Sequence, residues 1–183
     1  MKSLKPNQIN LYCSFKDHLL SRNYDPALYL NQTVDDENNL LTVHIYNLDG
    51  KFTGYQRYNP LGSKKNIPYD EAKYYTYTMK GEKAFWGLET IDYSKDTLYV
   101  VEGLFKASAL HRLGLNAICV FGNSAKHLSD VLLSFNMKLI AVCDNDDAGL
   151  ILGRSVERIG GSYVVFDKDL DEYDLSELEL IFN

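Results

Sequence analysis

From Leu98 onward the chain repeats one pattern, a short run of apolar and largely β-branched residues followed by a stretch with helical spacing. Leu98–Val101, Ala117–Phe121, Leu139–Cys143 and Tyr163–Phe166 are apolar almost throughout, as parallel strands covered on both faces must be. Between them Leu104–Leu113, Lys126–Phe135 and Ala148–Ile159 are predicted to be crossover helices, with Gly114 and Gly160 closing the first and third. Strands alternating with helices in this way predict a small doubly wound α/β unit.

The first ninety residues keep a different rhythm. Phe15–Ser21 is predicted to be helical, and LLTVHIYNLDGKFTGYQRYN alternates apolar and polar positions on either side of Asp49-Gly50. That dipeptide predicts a hairpin closed by a type I′ turn, whose two central residues take positive φ. Gly62–Pro68 reads as a loop, Tyr74–Thr78 as β-prone, and Phe85-Trp86-Gly87-Leu88 as an apolar plug ahead of a linker at Asp92–Asp96. The expected architecture is α/β, with a smaller mixed α+β lobe over residues 1–94 and a parallel-sheet domain over 95–183.

Composition narrows the class. At 183 residues, 45% hydrophobic and 24% charged, the chain can bury a core, and no run approaches the ~20 apolar residues of a membrane span. The polar N-terminus has no apolar core of a signal peptide, so a cytosolic protein is expected. Cys13, Cys119 and Cys143 are far apart, and His18, His44, His111 and His127 lack HxxxH spacing. They read as packing or surface residues rather than zinc ligands, so any metal must be held by oxygen.

Charge is unevenly placed. Residues 1–90 hold 11 bases against 10 acids, whereas residues 91–183 hold 8 against 15, a net of −7. The segment from Lys51 to Lys83 has seven bases against three acids, interleaved with tyrosines, Phe85 and Trp86. A solvated face would explain the charge, but bases alternating with aromatics also suit phosphates and stacked nucleobases.

The acids fall where a parallel sheet binds ligands, beyond the carboxyl ends of its strands. Glu102-Gly103 follows the first apolar run, Gly122-Asn123-Ser124 the second, Asp144-Asn145-Asp146-Asp147 the third, and Asp167, Asp169 and Asp171 the fourth. A single Asp in such a place is commonly a helix cap. Acids after three of the four runs instead form a repelling cluster that calls for a cation. Magnesium is hard, oxygen-seeking and shared with substrate phosphates, which points to phosphoryl transfer or hydrolysis.

VVEG before a helix, a GNS turn, VCDNDDAG at the end of a later strand and then KDLDEYD together resemble the Toprim domain of primases, topoisomerases and some nucleases. The likeness runs from residue 97 to about 178. The first half resembles the RNA-polymerase domain of bacterial and phage primases, through Asp49-Gly50, Gly54-Tyr55-Gln56-Arg57, Lys73-Tyr74, Lys80-Gly81 and Trp86-Gly87-Leu88. The resemblance implies a Toprim-like parallel sheet and a magnesium-dependent (or manganese-dependent) enzyme that makes RNA primers on single-stranded DNA from ribonucleoside triphosphates, in the cytoplasm of a bacterial or phage-infected cell. It makes Glu102, Asp144 and Asp146 catalytic, and adds Asp169 to them as metal ligands. Arg57, Lys73, Lys80, Lys106, Gly103, Asn123 and Ser124 become the nucleotide and template contacts. A replicative helicase or a separate template-reading module is the partner it implies.

One position departs from the family pattern. Four residues after the glutamate, primases place an aspartate; this chain has Lys106. On a helix that residue shares a face with Glu102, so it either pairs with Glu102 or offers a cation to phosphate. The departure keeps two alternatives in view: a Toprim nuclease using a metal-bound water, and a nucleic-acid-binding replisome module whose metal site has degenerated.

Overall fold

The computed structural model describes residues 14–64, 68–122 and 125–182. Its first element is α1 (Phe15–Ser21), which begins where Ser14 accepts the Asp17 N–H through its hydroxyl. The helix stops at Asn23, whose φ of 55° lets Tyr24 N–H reach back to the Leu19 carbonyl. Asn is one of the few residues with a side chain that takes this left-handed cap readily.

Four strands then make an antiparallel sheet: β1 (Gln32–Asp35), β2 (Leu40–Tyr46), β3 (Phe52–Tyr58) and β4 (Tyr74–Thr78), in that order across the sheet. β2 alternates half-buried and buried positions without a break, with Leu41, Val43 and Ile45 inward. The hairpin between β2 and β3 forms as expected, but its turn is not type I′. Gly50 has a φ of 73° while Asp49 stays at negative φ, and Asn47 N–H bonds the Lys51 carbonyl across a three-residue loop. The Asn47 side chain decides this, because its Oδ1 accepts both Asp49 N–H and Lys51 N–H; the turn is thus tied from its first residue. β1 was not foreseen from the sequence pattern.

The second sheet is wholly parallel and runs β6-β5-β7-β8. Its strands are β5 (Thr97–Val101), β6 (Ala117–Cys119), β7 (Lys138–Asp144) and β8 (Ser162–Phe166). The crossovers carry α2 (Leu104–Arg112), α3 (Ser129–Ser134) and α4 (Asp147–Glu157), and α5 (Leu175–Phe182) follows β8. Gly114 and Gly160 take φ of 72° and 92° and terminate α2 and α4, as their sequence positions predict. Two spans are shorter than expected. β6 ends at Cys119 and Phe121 turns to a φ of 51°, while residues 126–128 form a 3-10 turn before α3.

Alternation along β5 divides the core. Leu98 and Val100 pack with Ile118, Leu132, Ala141 and Leu152 on one face of the sheet. Val101 joins Leu104, Phe105 and Leu110 on the other, and there they meet Leu19, Leu41, Val43 and Tyr58. Phe105 of α2 lies edge-on to Tyr58, with ring centroids 4.7 Å apart. This aromatic contact packs the antiparallel sheet against the helix that begins at the end of β5, and so fixes one wall of the site against the other. Among the described residues, no helix is long and apolar enough to cross a membrane.

Candidate functional site

Three strand ends deliver carboxylates to one point. Glu102 directly follows β5, Asp144 is the last residue of β7, and Asp169 opens the short 3-10 turn after β8. The point itself is held by Lys106, in the first turn of α2. Its Nζ lies 3.2 Å from Glu102 Oε1 and 3.3 Å from Asp169 Oδ1, and it donates a hydrogen bond to Asp144 Oδ2. Only 6% of Lys106 is exposed. An ammonium has three donors, and here three acids face them.

The ionisation of the group follows from this geometry. Burial and the hydrogen bond with Asp144 raise the Glu102 pKa, against the opposing pull of the Lys106 charge. Burial, the largest single influence on Asp144, would raise its pKa as well. Hydrogen bonds with Lys106 and Glu102, and the Lys106 charge, outweigh it and hold the carboxyl below its usual range. For Lys106 burial favours the neutral amine, but the Asp144 hydrogen bond and the charges of all three acids keep it charged, with its pKa above that of ordinary lysine.

Asp146 stands at the start of the next helix. It is the N-cap of α4, and its Oδ1 accepts the Gly149 N–H at 2.7 Å. A Cβ on Gly149 would sit 2.3 Å from the Asp144 carbonyl oxygen, so only glycine lets the helix start this close to the end of β7. Asn145 turns away and donates to Asp167.

A basic and aromatic wall lines the same cleft as the acids. Arg22 donates through Nε and Nη2 to Asp171 Oδ2 at 2.8 and 2.5 Å, and through Nη1 to the Tyr74 hydroxyl at 3.0 Å. Its guanidinium lies 3.8 Å from the Phe105 ring centroid. Lys73 is nearby, and its pKa is lowered by burial and by the charges of Arg22 and Lys64. Gln56, Thr76 and Lys64 complete that wall, and with the acids they enclose a cleft of about 480 Å³. Gln56 is 7% exposed; its Nε2 donates to Thr76, while its Oε1 is buried without a hydrogen-bond partner among the described residues.

Of the residues marked by sequence, Glu102, Gly103, Lys106, Asp144, Asp169 and Lys73 line this cleft. Arg57 and Lys80 do not. Neighbours along a strand point to opposite faces, and since Gln56 faces the cleft, Arg57 faces away, where it donates to the Tyr69 carbonyl and lies over that ring. Lys80 stands exposed in the turn after β4. Asn123 and Ser124 lie outside the described residues; Phe121 and Gly122, just before them, line the cleft. Sequence reading missed Arg22, Lys64 and Gln56. Lys64 belongs to the basic segment, alternation along β3 is the signal that could have marked Gln56, and Arg22 has no local signal at all.

A second cavity, about 460 Å³ and lined by His44, Tyr46, Trp86 and Glu89 among others, shares no residue with the cleft. Its one acid, Glu89, is committed to the Leu30 N–H and the Asn31 side chain.

The family resemblance implies magnesium among the acids. The donor chemistry of Glu102, Asp144 and Asp169 suits a hard cation, but their meeting point is filled by the Lys106 ammonium. Among the described residues, no three His, Cys, Asp or Glu side chains are arranged to hold a metal ion. With Lys106 in place the residues do not fit the ion.

No family model matches the chain, and no curated protein matches it by sequence. Solved structures do match. The primase fragment of the bacteriophage T7 primase-helicase aligns with 81% of this chain and 62% of its own, at 17% identity and a TM-score of 0.59. The E. coli primase catalytic core aligns with 73% of this chain at 20% identity and a TM-score of 0.55. A DnaG catalytic domain bound to single-stranded DNA aligns with 85% of this chain and 55% of its own, at 18% identity and a TM-score of 0.54. The chain spans about half the length of the bacterial catalytic cores, 47% in the E. coli case. An antiparallel sheet beside a parallel sheet ending in acids is thus, over most of this chain, the fold of the primase RNA-polymerase domain.

Proposed function

We propose that the cleft binds single-stranded template and a ribonucleoside triphosphate, and that the chain is a primase-type nucleotidyltransferase domain. The observation that carries this reading is the pairing of walls. Lys73, Lys64 and Arg22 line one cleft together with Glu102, Asp144 and Asp169, so a phosphate held by the bases lies in the same cavity as the acids.

In that reading Lys73 and Lys64 hold backbone or triphosphate oxygens. Tyr74, 38% exposed beside Arg22, offers aromatic surface at the same wall. Glu102, whose pKa is raised by burial, is the acid able to take the proton of a 3′-hydroxyl as its oxygen bonds the α-phosphorus, while the bond from that phosphorus to the bridging oxygen breaks and pyrophosphate leaves. Proximity is the cleft's main contribution, since it holds both reactants in one 480 Å³ space. No step here passes through a metal ion, because Lys106 occupies the place among the acids.

Lys106 also favours a second reading, a nucleic-acid-binding module that does not catalyse. One assay separates the two. The protein is incubated with magnesium, single-stranded DNA and ribonucleotides, alone and with a replicative helicase. New oligoribonucleotides support the primase reading, and their loss in Asp144→Ala ties them to this cleft. Shortened DNA indicates a nuclease, and bound but unaltered DNA indicates the binding module.

A further inference from the structure

We infer that Lys106 is a resident cation of the acid cradle, and that a divalent ion and the Lys106 ammonium compete for one position between Glu102, Asp144 and Asp169. The inference concerns the cradle itself and holds whether the cleft polymerises, cuts or only binds.

Three observations carry it. First, the three acids come from three separate strand ends, yet all point at Nζ, within 3.3 Å. A surface lysine in an ordinary i,i+4 pair would have one partner, not three contributed by different elements.

Second, Lys106 is badly placed for any other purpose. It stands in the first turn of α2, where no acid is present and where the helix dipole disfavours a positive charge. It is also almost fully buried, at 6% exposure. A lysine in that place is stable only because the carboxylates surround it.

Third, occupancy is exclusive. Magnesium binds oxygen at about 2.0–2.1 Å, so an ion shared by these carboxylates would sit within the space of the ammonium, and the two positive charges would repel. Three carboxylates against one ammonium leave the cradle with a formal charge of about −2. That residual charge attracts a divalent ion, but the ion enters only as Lys106 gives up its place.

Manganese serves as the probe, because it takes the same hard oxygen ligands as magnesium and its free aqueous ion is counted directly by electron paramagnetic resonance. The full chain is titrated as wild type, as Lys106→Met and as the double variant Lys106→Met/Asp144→Asn. Lys106→Met should bind manganese at least tenfold more tightly than wild type, and the added Asp144→Asn should remove that gain. Thermal melting gives a second readout. Magnesium should raise the melting temperature of Lys106→Met by several degrees and leave wild type nearly unchanged.

Equal manganese affinity in wild type and a folded Lys106→Met would overturn the inference, as would a gain that survives Asp144→Asn. Should Lys106→Met fail to fold, wild type alone decides. Manganese binding tighter than roughly 0.1 mM, a range within reach of cation sites that have no internal competitor, and lost in Asp144→Asn, would show that the lysine is no barrier. Binding weaker than that supports it. None of these readouts depends on primer synthesis, so a failed priming assay and a failed competition are separate results.

Discussion

Asp171→Asn should be the most destabilising single change at the cleft that leaves Glu102, Lys106 and Asp144 untouched. Asp171 is 8% exposed and receives two hydrogen bonds from Arg22, which links the end of α1 to the 3-10 turn after β8. The substitution leaves a guanidinium without its counterion. Removing one partner of a fully buried ion pair costs about 3–5 kcal/mol. The Arg22 side chain is 22% exposed and keeps the Tyr74 hydroxyl and the Phe105 face, so about 2–4 kcal/mol is the appropriate figure here. For a chain of this size each kcal/mol moves the melting temperature by about 2–4 °C, so the loss should be roughly 5–15 °C by calorimetry or circular dichroism. Removing the charge from both sides separates the pair from its surroundings. Arg22→Met/Asp171→Leu replaces ions with apolar groups of similar size and should recover much of the loss, giving a coupling of at least ~1.5 kcal/mol in a double-mutant cycle. A loss below about 1 kcal/mol for Asp171→Asn, or costs that add within ~0.5 kcal/mol, would refute the view that this pair clamps the two walls together.

Three further outcomes follow from the same geometry. Lys73→Ala and Lys64→Ala should each weaken single-stranded DNA binding and reduce its salt dependence by about one phosphate contact. Lys80→Ala, outside the cleft, should leave the slope alone, and identical slopes in all three would dissolve the distinction. Gly149→Ala should destabilise by several kcal/mol or displace the end of β7, since its Cβ would meet the Asp144 carbonyl oxygen at 2.3 Å; a wild-type urea midpoint would contradict this. His18 and His111 should make stability fall in mild acid. Burial, reinforced at His18 by the Arg22 and Lys73 charges, lowers each pKa from 6.5 to about 4. The unfolded chain therefore takes up protons that the folded chain refuses, and the contribution is complete above pH 6.5 and lost as pH falls through that value toward 4. The urea midpoint should drop between pH 7.5 and pH 5, and the drop should shrink in His111→Gln; a flat profile would show that neither imidazole is held neutral.

Much of this fold was legible because its signals are local. The apolar runs from Leu98 to Phe166 gave all four parallel strands within a residue or two, since the inner strands have few polar positions to confuse the reading; the edge strand β8 is apolar as well, although Val164 and Val165 are 42% exposed and it is not covered on both faces as the pattern predicts. Gly114 and Gly160 mark helix ends through their own φ. The errors arose where one side chain overrode a local rule. At the β2–β3 hairpin, Asn47 captures two backbone N–H groups and changes the turn type. At Phe121, a bulky residue holds a φ of 51° that its type seldom adopts, and it does so on the wall of the cleft. The short strand β1 carries three half-buried positions and an exposed one, so it has no apolar face to betray it.

The candidate site divides along the same line. That acids would gather at one sheet edge could be read from the order of elements, because parallel strands all end on the same side. What stands among them could not. Whether Lys106 turns to solvent, to phosphate or to Glu102 depends on Asp144 and Asp169, which lie 38 and 63 positions further along the chain. Arg22 is more extreme, for it meets Asp171 across a separation of 149 residues. Long side chains are undecided by their own segment, since their stems are flexible and their charges respond to whatever the fold brings near. A sequence can thus announce where a charged site will form while the sign at its centre is set only by tertiary structure. In this chain that sign is positive, and the manganese titration of wild type against Lys106→Met asks how firmly it is held.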